Sequence, residues 1–341
     1  MSKAVLLLNL GTPAAPTAKG LRDFYKYFFS DPFVFDINPV GRWLLRNLII
    51  LPFRAPKTAK DYASIWMEDG SPLKVYADRL QLSLQLAFEE AGEDVLVVTG
   101  MGYSQPFVGE AMQELERLGR NEILVFPMFP QYSTATTASL FHEVDQCAAK
   151  WKSAPQLKFI YDFFSEPDFI RAWSVLITEH LVNLEADHVV FSYHGLPESN
   201  LKKADKNNFC NFGCCCNEVG KENRYCYRAQ CVSTTESIVR SLGWGKDQYS
   251  IAFQSRFGRQ EWIKPYLDEH LIKLLEDGVK NVAIVTPSFT SDCLETIHEI
   301  GVEYRHQYLS AGGDSFHLIP NLNDQPSWFR AVYNMSKDQL N

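Results

Sequence analysis

Val189-Val190-Phe191-Ser192-Tyr193-His194-Gly195-Leu196-Pro197 ends an apolar, β-type run in a histidine, with glycine and proline directly behind it. Val-Val-Phe suits a strand buried on both faces of a parallel sheet, and Gly195 and Pro197 stop it. His194 therefore falls at or just past the carboxyl end of a strand, the edge of an open α/β sheet where ligands bind. The plain alternative is a histidine that caps the strand through hydrogen bonds.

The same strand-then-turn plan recurs on both sides of this stretch. In the first half Val5–Leu10 runs into Gly11-Thr12-Pro13, Val95–Thr99 into Gly100-Met101-Gly102, and Ile123–Phe126 into Pro127-Met128-Phe129-Pro130. Helical spacing fills the gaps over Leu73–Ala91, closed by Gly92, and Val108–Leu118, closed by Gly119. In the second half Val189–Phe191, Ser250–Phe253 and Val282–Val285 each run into a turn. The third units are alike in detail, ILVFPMFPQYSTATT beside VAIVTPSFTSDCLET, each with a proline, an aromatic and Ser/Thr fit to cap a helix. Strands alternating with helices predict an α/β protein with doubly wound parallel sheets. The repeat predicts two similar domains, 1–160 and 161–341, and the C-terminal segment could pack back on the first.

Composition sets bounds on function. A chain of 341 residues suits two domains. A net charge of −8 argues against a general nucleic-acid binder. No apolar run reaches membrane-spanning length. The run Ala4–Leu8 is followed by Asn9 and Gly11-Thr12-Pro13, which reads as a first strand rather than a signal peptide, so a cytoplasmic chain is expected. No Walker A sequence is present, and Gly100-Met101-Gly102 lacks the third glycine of a dinucleotide fingerprint, so no nucleotide cofactor is expected.

Two insertions interrupt the plan. Residues 21–66 carry Phe24, Tyr25, Tyr27, Phe28, Phe29, Phe33 and Phe35, then Trp43, Leu44, Leu45 and Leu48–Leu51, with Arg22, Arg42, Arg46 and Arg54 among them. They read either as helices packed in a core or as an apolar lip that meets a flat greasy ligand or a membrane surface. The second insertion, 210–231, holds Cys210, Cys214, Cys215, Cys216, Cys226 and Cys231 out of eight cysteines. In a cytoplasmic chain such a cluster suggests metal before disulfide, and the spacings suit an iron–sulfur cluster or zinc.

A third feature follows the last strong strand. In Ser291-Asp292-Cys293-Leu294-Glu295-Thr296-Ile297-His298-Glu299-Ile300-Gly301-Val302-Glu303 the glutamates stand four apart. On a helix that spacing gives one acidic stripe, which is either an ordinary solvated face or, opposite His194, a place to hold a divalent cation and pass protons. His298 and His306 lie nearby and read as surface residues.

These stretches together resemble the ferrochelatase family over nearly the whole chain. LLLNLGTP, YASIWMEDGSPL, FPQYSTATT, SYHGLP, FQSRFGRQEWIKPY and TSDCLETIHEIGVEY carry the resemblance in the family's order and spacing. It implies two Rossmann-like domains with four-stranded parallel sheets and a porphyrin cleft between them, and an enzyme that inserts Fe2+, its substrate metal, into a porphyrin with release of two protons. It implies that His194 and Glu295 act at the metal, that Glu299 and Glu303 continue a proton or metal path, and that Asp292 belongs to the same motif. Porphyrin contacts fall on Arg54, Tyr62, Ser71, Tyr132 and Trp262, and the apolar lip on 21–53. Members that act on coproporphyrin commonly carry tyrosine where Ala14 stands, so protoporphyrin IX is the expected substrate and coproporphyrin III the alternative. A non-catalytic iron–sulfur or haem sensor on the same fold is the alternative of another class. The cysteine loop resembles that of bacterial members with an internal [2Fe-2S] cluster, and implies as ligands Cys210, one of Cys214–Cys216, Cys226 and Cys231. A loose contact with the membrane surface is a further expectation.

Overall fold

The structure, a computed structural model, describes residues 2–341 apart from 183, 213 and 259. Among them the first sheet holds β1 (Lys3–Asn9), β2 (Val95–Met101), β3 (Glu122–Pro127) and β4 (Gln156–Phe159), in the order β2-β1-β3-β4. The second holds β5 (His188–His194), β6 (Tyr249–Gln254), β7 (Asn281–Val285) and β8 (Ser315–Leu318), in the order β6-β5-β7-β8. Every pairing is parallel.

Sequence explains this directly. Ala4–Leu8 in β1 and Val189–Tyr193 in β5 are continuous buried runs, as central parallel strands covered on both faces require. Parallel neighbours need crossovers, which the helices supply. Pro72–Glu90 links the first pair of strands in unit one, with Ser71 accepting from the Lys74 N–H as its cap and Pro72 opening the first turn. Tyr227–Leu242 has the matching place between β5 and β6.

The chain divides into two compact units. One comprises Met1–Phe129, Thr134–Asp162 and Phe329–Asn341; the other Pro130–Ser133 and Phe163–Trp328. The last segment is fixed to the first unit by Lys3 Nζ donating to the Leu340 carbonyl (2.6 Å), by Lys337 paired with Glu93 (2.8 Å) and by Tyr333 against Phe88 (ring centroids 5.1 Å).

Residues 21–66 do not form two helices packed in a core. Helices Ala18–Phe28 and Pro39–Leu44 lead into a wide-turned π-helix, Leu45–Arg54, and then helix Ala55–Ile65. Of residues 39–54 only Ile50 is buried, while Val40, Trp43, Leu44, Leu48, Ile49 and Phe53 are exposed. The aromatic half behaves differently. Phe28, Phe29, Phe35 and Tyr103 stack together, and Asp31 accepts from the Tyr103 hydroxyl at 2.6 Å, which ties this segment to the turn after β2.

Candidate active site

In each sheet the strand order reverses at the first strand, so the crevice for a ligand opens between β1 and β3 and between β5 and β7. His194 is the last residue of β5 and sits at the second of these points. Its backbone N–H donates to Ser288 Oγ (3.2 Å) in the turn after β7, and its carbonyl accepts from the buried Tyr227 hydroxyl (2.8 Å). The half-buried imidazole has Trp262 and Phe289 on two sides, at ring separations of 6.5 and 6.3 Å. Its Nδ1 lies 2.7 Å from the Gly195 carbonyl. A carbonyl only accepts, so Nδ1 carries a proton, and it is the Nδ1–H tautomer of the imidazole that presents the Nε2 lone pair to another partner.

The turn after β7 leads into the acidic segment. Asp292 is buried and its carboxylate is already engaged: Oδ1 accepts from Thr296 Oγ1 (2.9 Å) and Asn321 Nδ2 (3.0 Å), and Oδ2 from Asn323 Nδ2 (2.6 Å). Burial raises its pKa against the pull of these donors. Asp292 thus fixes the start of the helix that follows.

That helix, Leu294–Tyr304, is a π-helix and not the α-helix that the spacing of four suggested. Bonds from i to i+5 widen the turn, so four residues fall just short of a full turn instead of just past it. The three glutamates still share a side, graded in exposure: Glu295 and Glu299 are half-buried and Glu303 is exposed. Burial pushes the Glu299 carboxyl up to about 7; the negative charges of Glu295 and Glu303 add to the rise and a hydrogen bond from Ser255 opposes it. His298 is largely covered, 3.9 Å from Glu303, rather than free on the surface, while His306 is exposed.

Two residues that sequence reasoning left as a simple turn join these parts. Gln254, paired with His194 across the sheet, accepts from Ser192 Oγ (2.8 Å) and donates from Nε2 to the Glu295 carbonyl (3.0 Å). Ser255 donates to Glu299 Oε2 at 2.6 Å. No periodicity marks either of them, because their role depends on which strands become neighbours.

A carbonyl-anchored histidine and a graded row of carboxylates meet at one sheet's switch point, as a site that takes in a divalent cation and removes protons would require. The model of the ferrochelatase family matches residues 2–340. The chain belongs to the ferrochelatase family. It is 42% identical over 341 residues to a ferrochelatase of Coxiella burnetii (strain Dugway 5J108-111), covering 98% of this chain and 93% of that protein. A ferrochelatase of Bdellovibrio bacteriovorus is 39% identical, with 98% of each chain covered, and one of Legionella pneumophila (strain Corby) 37% identical, with 100% of each covered. Among solved structures, SirB from Bacillus subtilis with Fe3+ superposes with a TM-score of 0.55 at 12% identity, covering 99% of this chain and 96% of that one. SirB from Bacillus subtilis subspecies spizizenii in complex with cobalt gives 0.53 at 10% identity, with 99% and 95% covered. These two show the chelatase fold. The chain is accordingly a chelatase of the ferrochelatase family, an enzyme of haem synthesis whose substrates are Fe2+ and a porphyrin.

The residues expected to touch the porphyrin fall in both units. In the first, Arg54 is exposed at the end of the π-helix Leu45–Arg54, Tyr62 is buried with its ring 6.2 Å from Trp66, and Ser71 is buried as a helix cap. In the second, Tyr132 donates its N–H to Gln230 Oε1 (2.6 Å) with its ring 5.1 Å from Tyr225, and Trp262 beside His194 donates Nε1–H to the Phe257 carbonyl (2.9 Å).

The cysteine segment is held by polar side chains rather than by a core. Asp205 accepts from the N–H groups of Phe209 (3.1 Å) and Cys210 (2.7 Å), and Asn223 donates to the carbonyls of Cys215 (2.7 Å) and Glu218 (2.8 Å). All eight cysteines of the chain are free thiols. Cys215 and Cys216 lie 3.8 Å apart, Cys210 interacts with Cys215, and Cys216 with Cys226, whose pKa falls because it accepts from the Cys216 thiol. Cys214 is exposed, and Cys231 is fully buried beside Tyr227. Among the described residues no three of His, Cys, Asp or Glu converge closely enough to hold a metal ion. Soft thiols in one chain of contacts are nevertheless the donor chemistry of an iron–sulfur cluster. Also among the described residues, no helix is long and apolar enough to cross a membrane.

Proposed function

We propose that the chain inserts Fe2+ into protoporphyrin IX to form protohaem, with His194 and Glu295 at the metal and Glu299 and Glu303 leading protons away. The observation that carries this reading is the His194 Nδ1 contact with the Gly195 carbonyl, which leaves Nε2 as a proton acceptor. Iron enters as its four bonds to the pyrrole nitrogens form. The two N–H bonds break in turn; Nε2 takes the first proton, hands it to the carboxylate row, and is then free to take the second, which leaves by the same row to solvent. Glu299, with a pKa near 7, both accepts and gives up a proton at neutral pH. Asp292 acts by holding the helix start, since its oxygens are already bonded. Arg54, Tyr62, Ser71, Tyr132 and Trp262 are the proposed porphyrin contacts. Anaerobic metallation followed by absorbance, with protoporphyrin IX and coproporphyrin III side by side, tests the substrate. Turnover of coproporphyrin alone would replace protoporphyrin in this reading.

We further propose a [2Fe-2S] cluster in the 210–231 loop. The run of sulfur contacts favours Cys210, Cys215, Cys216 and Cys226 as ligands over the earlier set with Cys231, which is buried next to Tyr227. When bound, the cluster would tie together a loop with few apolar residues of its own. Iron and acid-labile sulfide in a one-to-one ratio are expected in anaerobically purified protein; stoichiometric zinc instead refutes the cluster. A cytoplasmic enzyme that touches the inner membrane surface through the exposed Trp43, Leu44, Leu48, Ile49 and Phe53 completes the proposal. Liposome flotation tests the contact, and unchanged flotation after Trp43 and Leu44 are made polar would refute it.

A further inference from the structure

The carboxyl end of β6 bears on the π-helix at two points, and neither point belongs to the family's expected site residues. The side chain of Gln254 is buried; it reaches from Ser192 beneath His194 to the Glu295 carbonyl. Ser255, the next residue, adopts φ +67, a left-handed conformation that residues with a Cβ rarely take. Strain of this kind persists where the surroundings enforce it, and it gathers at working sites. Here the turn brings the Ser255 hydroxyl onto Glu299 Oε2 at 2.6 Å, and the Ser255 backbone also hydrogen-bonds to Glu299.

We infer that Gln254 and Ser255 are positioning residues for metallation, which set the carboxylates of Glu295 and Glu299 in a fixed relation to His194. Gln254 does so through the backbone, since one side chain joins the strand that ends in His194 to the first turn of the π-helix. Ser255 does so through the carboxylate itself. Its hydroxyl and its backbone N–H both bond to the Glu299 carboxylate and hold it in place. The inference rests on the proposed role of Glu299 in carrying protons.

Ser255→Gly separates this role from a structural one. Glycine adopts the same φ freely, so the variant relieves strain while removing the hydroxyl. Thermal stability should stay level or rise while kcat falls about tenfold, the value of one charge-assisted hydrogen bond lost in the transition state. The KM for porphyrin should stay unchanged. Ser255→Gly in a Glu299→Gln background should add little, because the acceptor it orients is already altered. Wild-type kcat in Ser255→Gly overturns the inference, as does a fall in kcat that is fully additive with Glu299→Gln. If Glu299→Gln itself turns over at the wild-type rate, the proposed proton path is what fails, and the two failures are told apart by that single variant.

Discussion

His194 donates its Nδ1–H to the carbonyl of Gly195, the residue directly after it, across 2.7 Å. The tautomer of the proposed base is therefore fixed by the backbone and needs no carboxylate partner. His194→Ala removes the proton acceptor and leaves the strand intact. The kcat for metallation should fall by about 10²- to 10⁴-fold while porphyrin affinity changes little. Fluorescence quenching of the bound porphyrin reads the affinity, and metallation near the wild-type rate rules out the mechanism.

Glu299 makes stability depend on pH in a defined direction. Its folded pKa of about 7 exceeds the ordinary 4.5, so the native state holds a proton that the unfolded chain has released. Its contribution is complete below the ordinary value and is lost as pH rises through about 7. The loss amounts to at most about 3 kcal/mol. Glu143, also raised to about 7 by burial and by Asp31 nearby, adds a term of the same sign. Glu299→Gln should make the denaturation free energy decline less as pH rises through about 7. An unchanged slope contradicts the raised pKa of Glu299.

Asp292 should matter for folding more than for proton transfer. Asp292→Ala strands the side-chain amides of Asn321 and Asn323 without their acceptor and leaves Thr296 Oγ1 only the Cys293 carbonyl. A cost of about 3 kcal/mol is expected. Asp292→Asn keeps the shape and half of the acceptor capacity, so it should recover much of that stability. If both variants unfold at wild-type denaturant concentrations but lose turnover, Asp292 acts in the chemistry instead.

The cysteine loop offers a test that needs no turnover. Cys226→Ser should abolish the visible absorbance of a bound cluster, and Cys231→Ser should preserve it, because Cys231 lies against Tyr227 beneath the loop. Bleaching by Cys231→Ser with colour retained in Cys215→Ser would return Cys231 to the ligand set.

Much of this architecture was legible in the chain. The buried run Val189–Tyr193 and its histidine predicted a central parallel strand with a functional carboxyl end, and β5 does end on His194. The paired strand-turn units predicted two similar parallel sheets, and two four-stranded parallel sheets are found; their strand order came only from the structure. Three things were not legible. The acidic segment has the i, i+4 pattern of an α-helix, yet it folds as a wider π-helix, and nothing in the side-chain spacing distinguishes the two. The apolar residues between 39 and 54 look like a core segment by composition, but a stretch of apolar sequence does not say whether anything covers it. Gln254 and Ser255 lie in a stretch that carried the family resemblance, yet no periodicity gave them a role, because their meaning comes from the neighbours that the sheet order gives them.

The wide helical turn that carries Glu295, Glu299 and Glu303 also restricts how this segment can change in length. Substituting a residue there alters one side chain and leaves the facing of the others intact. Removing one residue between Glu295 and Glu299 rotates everything beyond it by roughly a quarter of a turn, and both later carboxylates leave the side they share with Glu295. A one-residue deletion at Ile297 should therefore reduce kcat more than any single replacement of Ile297. The spacing of this acidic row is a counted quantity, open to variation in what fills each place but closed to variation in how many places there are.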